Sequence, residues 1–160
     1  MADAATFERG IHPNDAKGLT EHHQIIQANL PQRVVIPLSQ HIGAPTKPEV
    51  TIGDEVKKGQ LIGSPTSFVS APVHSSISGK VIAIADFPQP SGRMVSSVVI
   101  ESDGKDEGIT FIDNPDYLTL DVDEIKDRIK NAGIVGLGGA AFPTSVKLSP
   151  PKEKPVDTVI

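Results

Sequence analysis

The run GIVGLGGAAFPTSVKLSPP, Gly133 to Pro151, places four glycines within seven positions and follows them with a single lysine, Lys147. Clustered glycines leave backbone N–H groups uncovered and let a ligand approach closely. A nearby ammonium adds positive charge, so the combination suits phosphate or flavin oxygens. Within the run, Gly136-x-Gly138-x-x-Ala141 has the formal spacing of a dinucleotide-binding turn, a weak signal when it stands alone. Such a turn is entered from a strand and left by a helix, whereas here a helix precedes it. The spacing by itself leaves two readings open, an anion cradle or a plain glycine-rich link from helix to strand with an exposed lysine, and leans to the second.

The preceding segment, DVDEIKDRIKNAG, sets Val122, Ile125, Ile129 and Ala132 on one helical face. Asp121, Asp123 and Glu124 come first and Lys126, Arg128 and Lys130 later, an order that suits the helix dipole. Asp121 followed by Glu124 resembles a capping box, and Gly133 stands where a C-terminal cap belongs. The run PVDTVI at residues 155–160 reads as a β-type segment with no polar tail behind it. The expectation is a piece of a longer protein whose residues 121–160 open an α/β domain.

Upstream, residues 33–103 read as short strands separated by turns: RVVIPL, EVTIG, DEV, QLIGS, SFVSAPV, SISGKVIAIA and MVSSVVIES. The spacing and Val/Ile content suggest a compact all-β unit rather than a parallel sheet with crossover helices. Val56, Leu61, Ile62, Val81 and Ile82 are its expected small core. Residues 1–32 read as a polar, irregular arm, and residues 104–120 as an acidic linker. Apolar residues make up 38% of the chain and aromatics 4%, with 14 Gly and 14 Pro, which fits a small turn-rich β fold.

Charge and cysteine usage narrow the function classes. The net charge is −5, with basic residues dispersed, so nucleic acid is not an expected partner. The chain has no cysteine, which excludes disulfides and thiolate-held clusters within these residues. The N-terminus lacks a secretory layout, and no apolar run approaches the roughly 20 residues of a membrane span. His12, His22, His23, His41 and His74 show no paired helical spacing, so no metal site is expected. His41 and His74 are read as structural contacts within the β unit.

Gly53-Asp54-x-Val56-x-x-Gly59-Gln60-x-Ile62, followed by Ala71-Pro72 and Gly79-x-Val81, resembles the biotinyl and lipoyl carrier fold, a barrel-sandwich hybrid of two similar halves. Carriers hold their cofactor on a lysine about seven residues before the Ala-Pro pair. Ser64 stands there instead, and Lys57 and Lys58 lie in another turn. A docking or structural module is therefore expected rather than a carrier.

Several longer blocks, GIHPNDAKGLT, VVIPLSQHIGAPTKPEVTIGDEVKKGQLIG, FVSAPVHSSISGKVIAI and GGAAFPTSVKLSPP, resemble the C subunit of the Rnf (Rsx) electron transport complex in order and over nearly the whole chain. The resemblance implies a mainly β fold with α/β: a barrel-sandwich hybrid unit followed by the start of a nucleotide-binding domain like that of the complex I flavin protein. It implies a peripheral, NADH-facing subunit on the cytoplasmic face of the cell membrane. The complex moves electrons between NADH and ferredoxin and couples this to ion translocation. Implied partners are the other Rnf subunits, NADH and, indirectly, ferredoxin.

The glycine run is similar to the complex I loop GRGGAGFPTGLKW, which holds FMN. By that likeness Gly136, Gly138, Gly139 and Ala140 would line the flavin phosphate and ribityl chain, Phe142 would sit near the nicotinamide nucleotide, and Lys147 would contact flavin oxygens. The flavin performs the hydride chemistry and the protein orients it. Two departures stand out: Leu137 replaces an arginine and Ala141 replaces the last glycine. The family's 4Fe-4S clusters rest on cysteines of the full-length protein, as does the rest of the flavin and NADH pocket. The 160 residues alone are expected to bind FMN and NADH weakly or not at all. A pure docking module and the N-terminal part of the A subunit of sodium-translocating NADH-quinone reductase are the alternatives.

Overall fold

The computed structural model describes residues 14–151 and 153. His12 and PVDTVI lie outside the described residues. Among the described residues seven strands form two antiparallel sheets. The first has the order β1 (Arg33–Pro37), β7 (Met94–Ser102), β6 (Gly79–Pro88), β3 (Glu55–Val56), and the second β2 (Lys47–Pro48), β4 (Leu61–Ser64), β5 (Val73–His74). Two short helices follow, α1 (Val122–Asn131) and α2 (Thr144–Lys147).

The core lies between the sheets and is built from small branched side chains: Ile36, Leu38, Val50, Val56, Ile62, Val73, Ile77, Val81, Val98 and Ile100. Of the expected core, Val56, Ile62 and Val81 are buried, but Leu61 is 41% and Ile82 37% exposed. The reason is the two-residue period of a strand: neighbours point to opposite faces, so Leu61 and Ile62 cannot both point inward, nor can Val81 and Ile82. In β6 a bulge adds to this. Val81 faces Ile100 and Ile84 faces Val98, so three residues of β6 span two of β7, and the additional residue restores the inward phase at Ile84.

Two expected strands are turns and loops. Glu49 N–H still donates to Ile62 O at 2.9 Å, but the chain then bends: Asp54 accepts from the Thr51 N–H at 2.8 Å and the Thr51 hydroxyl at 3.1 Å. The carboxylate thus diverts EVTIG into the turn before β3. Of SFVSAPV only Val73 enters a strand, β5. Gly79 is required by packing: a β-carbon there would stand 1.9 Å from Glu101 O on the neighbouring strand.

The acidic stretch after β7 is held against the barrel. Lys58 N–H donates to Glu107 O and Ile109 N–H to Lys58 O, both at 2.9 Å. Lys57 pairs with Glu107 at 2.6 Å and Lys58 with Asp106. Buried Ser78 donates to Asp103 at 2.7 Å and accepts the Glu107 N–H at 2.9 Å. Ahead of β1, Ile25 and Ile26 are exposed.

Candidate functional site

Helix α1 positions the glycine run, and its ends differ in how they are finished. At the start, Asp121 accepts from the Val122 N–H at 2.6 Å, while Glu124 pairs with Arg128 at 2.8 Å. The reciprocal bond of a capping box is therefore absent, because Glu124 is drawn to the arginine one turn on. At the end, Gly133 N–H bonds Lys130 O at 3.0 Å and Ile134 N–H bonds Ile129 O at 3.3 Å, with Gly133 at φ 69°. This is a Schellman cap, as the glycine's position predicts.

The cap is also the seat of the run on the barrel. A β-carbon on Gly133 would stand 2.5 Å from Pro72 O and 3.5 Å from the His74 ring. His74 is partly buried there, and desolvation lowers its pKa below 6.5, with the Asn131 backbone working the other way. His41 fixes the same hairpin: its Nε2 accepts the Ala71 N–H at 2.9 Å, so Nδ1 carries the proton and donates to Ile42 O at 3.0 Å. His41 makes the structural contact within the β unit expected from the sequence, whereas the His74 ring meets the end of α1 instead. The hairpin that bears the lysine in carriers here supports α1 and the run that follows it.

The glycine run itself is a closed loop. Val135 bridges Pro143, Gly136 N–H donates to Phe142 O at 2.9 Å, and Thr144 N–H donates to Ile134 O at 3.0 Å. Its tip is a turn closed by Ala141 N–H to Gly138 O at 2.9 Å. Ala141 takes φ 45°, a left-handed conformation natural to the glycine it replaces. The tip leans on the barrel through Ile42 N–H to Ala140 O at 2.8 Å.

The six candidate residues divide into two groups. Gly136, Phe142 and Lys147 meet at the stem: a β-carbon on Gly136 would lie 2.6 Å from the Lys147 Nζ and 3.6 Å from Phe142 O. Gly138, Gly139 and Ala140 form the exposed tip. Gly138 and Gly139 have no positive φ, and none of the described residues lies within 4 Å of a β-carbon built on either. The packing of the described residues therefore does not demand glycine at these two positions, which border open space. Among the described residues, the N–H groups of Leu137, Gly138, Gly139 and Ala140 have no protein acceptor. These N–H groups are available as donors to solvent or to an anion.

Beside the tip lies a cleft of about 570 Å³ whose lining includes Gly139 and Ala140, Gln40 and His41 after β1, and Gln89 and Arg93 of the β6–β7 turn. Arg93 is not visible as a site residue in the sequence. It stands some forty-five residues before the loop, inside an ordinary turn, and only the fold brings it near. Among the described residues no group of His, Asp or Glu forms a metal site, and no helix is long and apolar enough to cross a membrane.

Comparison with known proteins bears on this arrangement. Residues 5–105 match the family model described as the RnfC barrel sandwich hybrid domain. The chain is 49% identical over 156 residues to the C subunit of the proton-translocating ferredoxin:NAD(+) oxidoreductase complex of Clostridium ljungdahlii, covering 97% of this chain and 34% of the relative. It is 52% identical over 158 residues to the C subunit of the Na(+)-translocating ferredoxin:NAD(+) oxidoreductase complex of Acetobacterium woodii, covering 97% and 35%. It is 43% identical over 138 residues to the C subunit of the ion-translocating oxidoreductase complex of Pseudomonas aeruginosa, covering 85% and 18%. The chain thus spans about a third of the length of the first two. With the family model matching most of the chain, the chain belongs to the RnfC family, and its β1–β7 unit, two sheets around one core, is that family's barrel sandwich hybrid domain.

Proposed function

We propose that these residues are the N-terminal part of the C subunit of an ion-translocating ferredoxin:NAD(+) oxidoreductase complex, and that the Gly136–Lys147 loop is one half of its FMN and NADH cradle. The subunit would sit peripherally on the cytoplasmic face of the membrane, with the other Rnf subunits as partners and ferredoxin reached through them. The names of the relatives support the complex. The observation that carries the loop's role is the unclaimed N–H row from Leu137 to Ala140 beside the open space at Gly138 and Gly139.

When bound, FMN would supply the hydride acceptor. The chain's contribution is positional. Backbone N–H groups at the tip would hold phosphate oxygens without reorganisation, and the Lys147 ammonium at the stem would favour negative charge on the flavin. Phe142, fixed through its carbonyl to Gly136, would offer an apolar surface to the nicotinamide nucleotide. The 4Fe-4S clusters have no ligand set within these residues, because the chain has no cysteine.

The test is the flavin content of the purified complex carrying Lys147→Ala or Gly138→Val in the full-length protein. Both variants are expected to lose FMN. Unchanged flavin in both would remove the loop from the site.

A further inference from the structure

At the tip of the loop Leu137 is fully exposed and offers no charge. A cation beside the tip comes from the barrel. The turn between β6 and β7 is closed by Gly92 N–H to Gln89 O at 2.8 Å and by Gln89 N–H to Arg93 O at 2.9 Å, and it brings Arg93 into the cleft shared with Gly139 and Ala140. The opposite wall is fixed to the loop by the Ile42 N–H to Ala140 O bond. Loop and barrel therefore form one concave surface.

Its charge differs from that of the molecule. The chain carries a net charge of −5, yet among the described residues no carboxylate lines the cleft. Arg93 has no carboxylate partner among the described residues. His41 also lines the cleft, but both of its ring nitrogens are committed, one to the Ala71 N–H and one to Ile42 O. Among the described residues Arg93 is the one Lys or Arg lining this cleft, together with Gly139 and Ala140, whose backbone N–H groups are unclaimed. A planar guanidinium beside free N–H groups is suited to a phosphate, which it can grip with two parallel bonds.

We propose that this cleft is a phosphate subsite of the nucleotide site, with Arg93 of the barrel supplying positive charge beside the tip of the loop. The inference rests on the loop being a nucleotide cradle. It assigns the β unit a direct share in ligand binding beyond docking. The phosphate belongs either to the flavin mononucleotide or to the pyrophosphate of the nicotinamide dinucleotide.

The experiment uses the purified complex with Arg93→Gln in the full-length protein, compared with Lys147→Ala. FMN retained per complex, FMN against riboflavin rebinding after flavin removal, and KM for NADH at low and high salt are measured. Loss of one charge-assisted contact predicts about a tenfold or larger weakening. A flavin phosphate subsite appears as weakened FMN with unchanged riboflavin. A dinucleotide subsite appears as a raised KM with flavin retained and a shallower salt dependence. Arg93 lies on an exposed turn, so the melting temperature is expected to hold. If Arg93→Gln alters neither ligand while Lys147→Ala still lowers flavin, the subsite is overturned and the loop reading stands. If neither variant alters flavin or NADH, both fall.

Discussion

The Lys147 ammonium lies over Gly136, so close that a β-carbon at position 136 would stand 2.6 Å from Nζ. Eleven positions separate them in sequence, and the hydrogen bonds between the Ile134–Gly136 and Phe142–Thr144 arms bring them together. The colliding atom is the far end of a flexible side chain. Gly136→Ala is therefore expected to change stability by less than about 0.5 kcal/mol while displacing the ammonium. Thermal unfolding with flavin content on the same sample checks this; a large stability loss would show that the glycine serves packing instead.

Gly133→Ala behaves in the opposite way. The residue is left-handed, and the clash at 2.5 Å is with the backbone oxygen of Pro72, which cannot swing aside. The expected cost is about 2 kcal/mol or more, from the left-handed conformation and the clash together. Hydrogen exchange resolves where it falls: faster exchange in α1 and the glycine run, with β6 and β7 amides unchanged.

The His74 contact is acid-sensitive. Its folded pKa lies below 6.5, chiefly from desolvation, so the unfolded chain takes up the proton first as pH falls. The stability it contributes is complete above about pH 6.5 and is lost as pH falls through the folded value. Unfolding measured from pH 8 to pH 5 is expected to show a decline that is flatter in His74→Gln. Parallel curves would remove His74 as the cause.

Asp103 gives a separate acid limb. Hydrogen bonds from the Lys105 N–H and the Ser78 hydroxyl hold its carboxyl below 3.8. Its contribution is present above that pH and lost as pH falls through the lowered value. Ser78→Ala is expected to destabilise the turn at neutral pH, and the gap from wild type is expected to narrow in strong acid. Denaturant melts at pH 7 and pH 3 check the sign.

Ala141→Gly is expected to stabilise the loop by up to about 1 kcal/mol, because φ 45° strains alanine and not glycine. The gain is read from amide exchange between Gly136 and Thr144. No slowing there would mean that the strain is relieved elsewhere.

The sheet content was legible because Val and Ile recur at strand spacing, and Val56, Ile62 and Val81 were correctly placed inside. Leu61 and Ile82 were misplaced because hydrophobicity alone does not say which of two neighbouring apolar residues faces inward. EVTIG looks like a strand to any propensity scale. Its turn depends on Asp54, whose preference for the Thr51 donors outweighs the branched residues. The helix and its Gly133 terminus were readable because a helix end is decided by adjacent residues.

The glycine run was legible as a motif, and its internal closure was not. Nothing in the spacing announces that Ala141 would adopt a left-handed turn or that Lys147 would fold back over Gly136. Arg93 was invisible for a different reason. Long-range proximity between a hairpin turn and a distant loop is a property of the packed barrel, and one sequence carries no local signal for it.

The Ala71–Pro72 hairpin is bound by the His41 ring on one side and pressed against the end of α1 on the other. In a swinging-arm protein the corresponding element is a ferry, and turnover waits on its travel between stations. Here it is a quay. On the proposed reading, a nucleotide held at the adjoining loop would arrive and depart by diffusion rather than on a moving arm of this barrel.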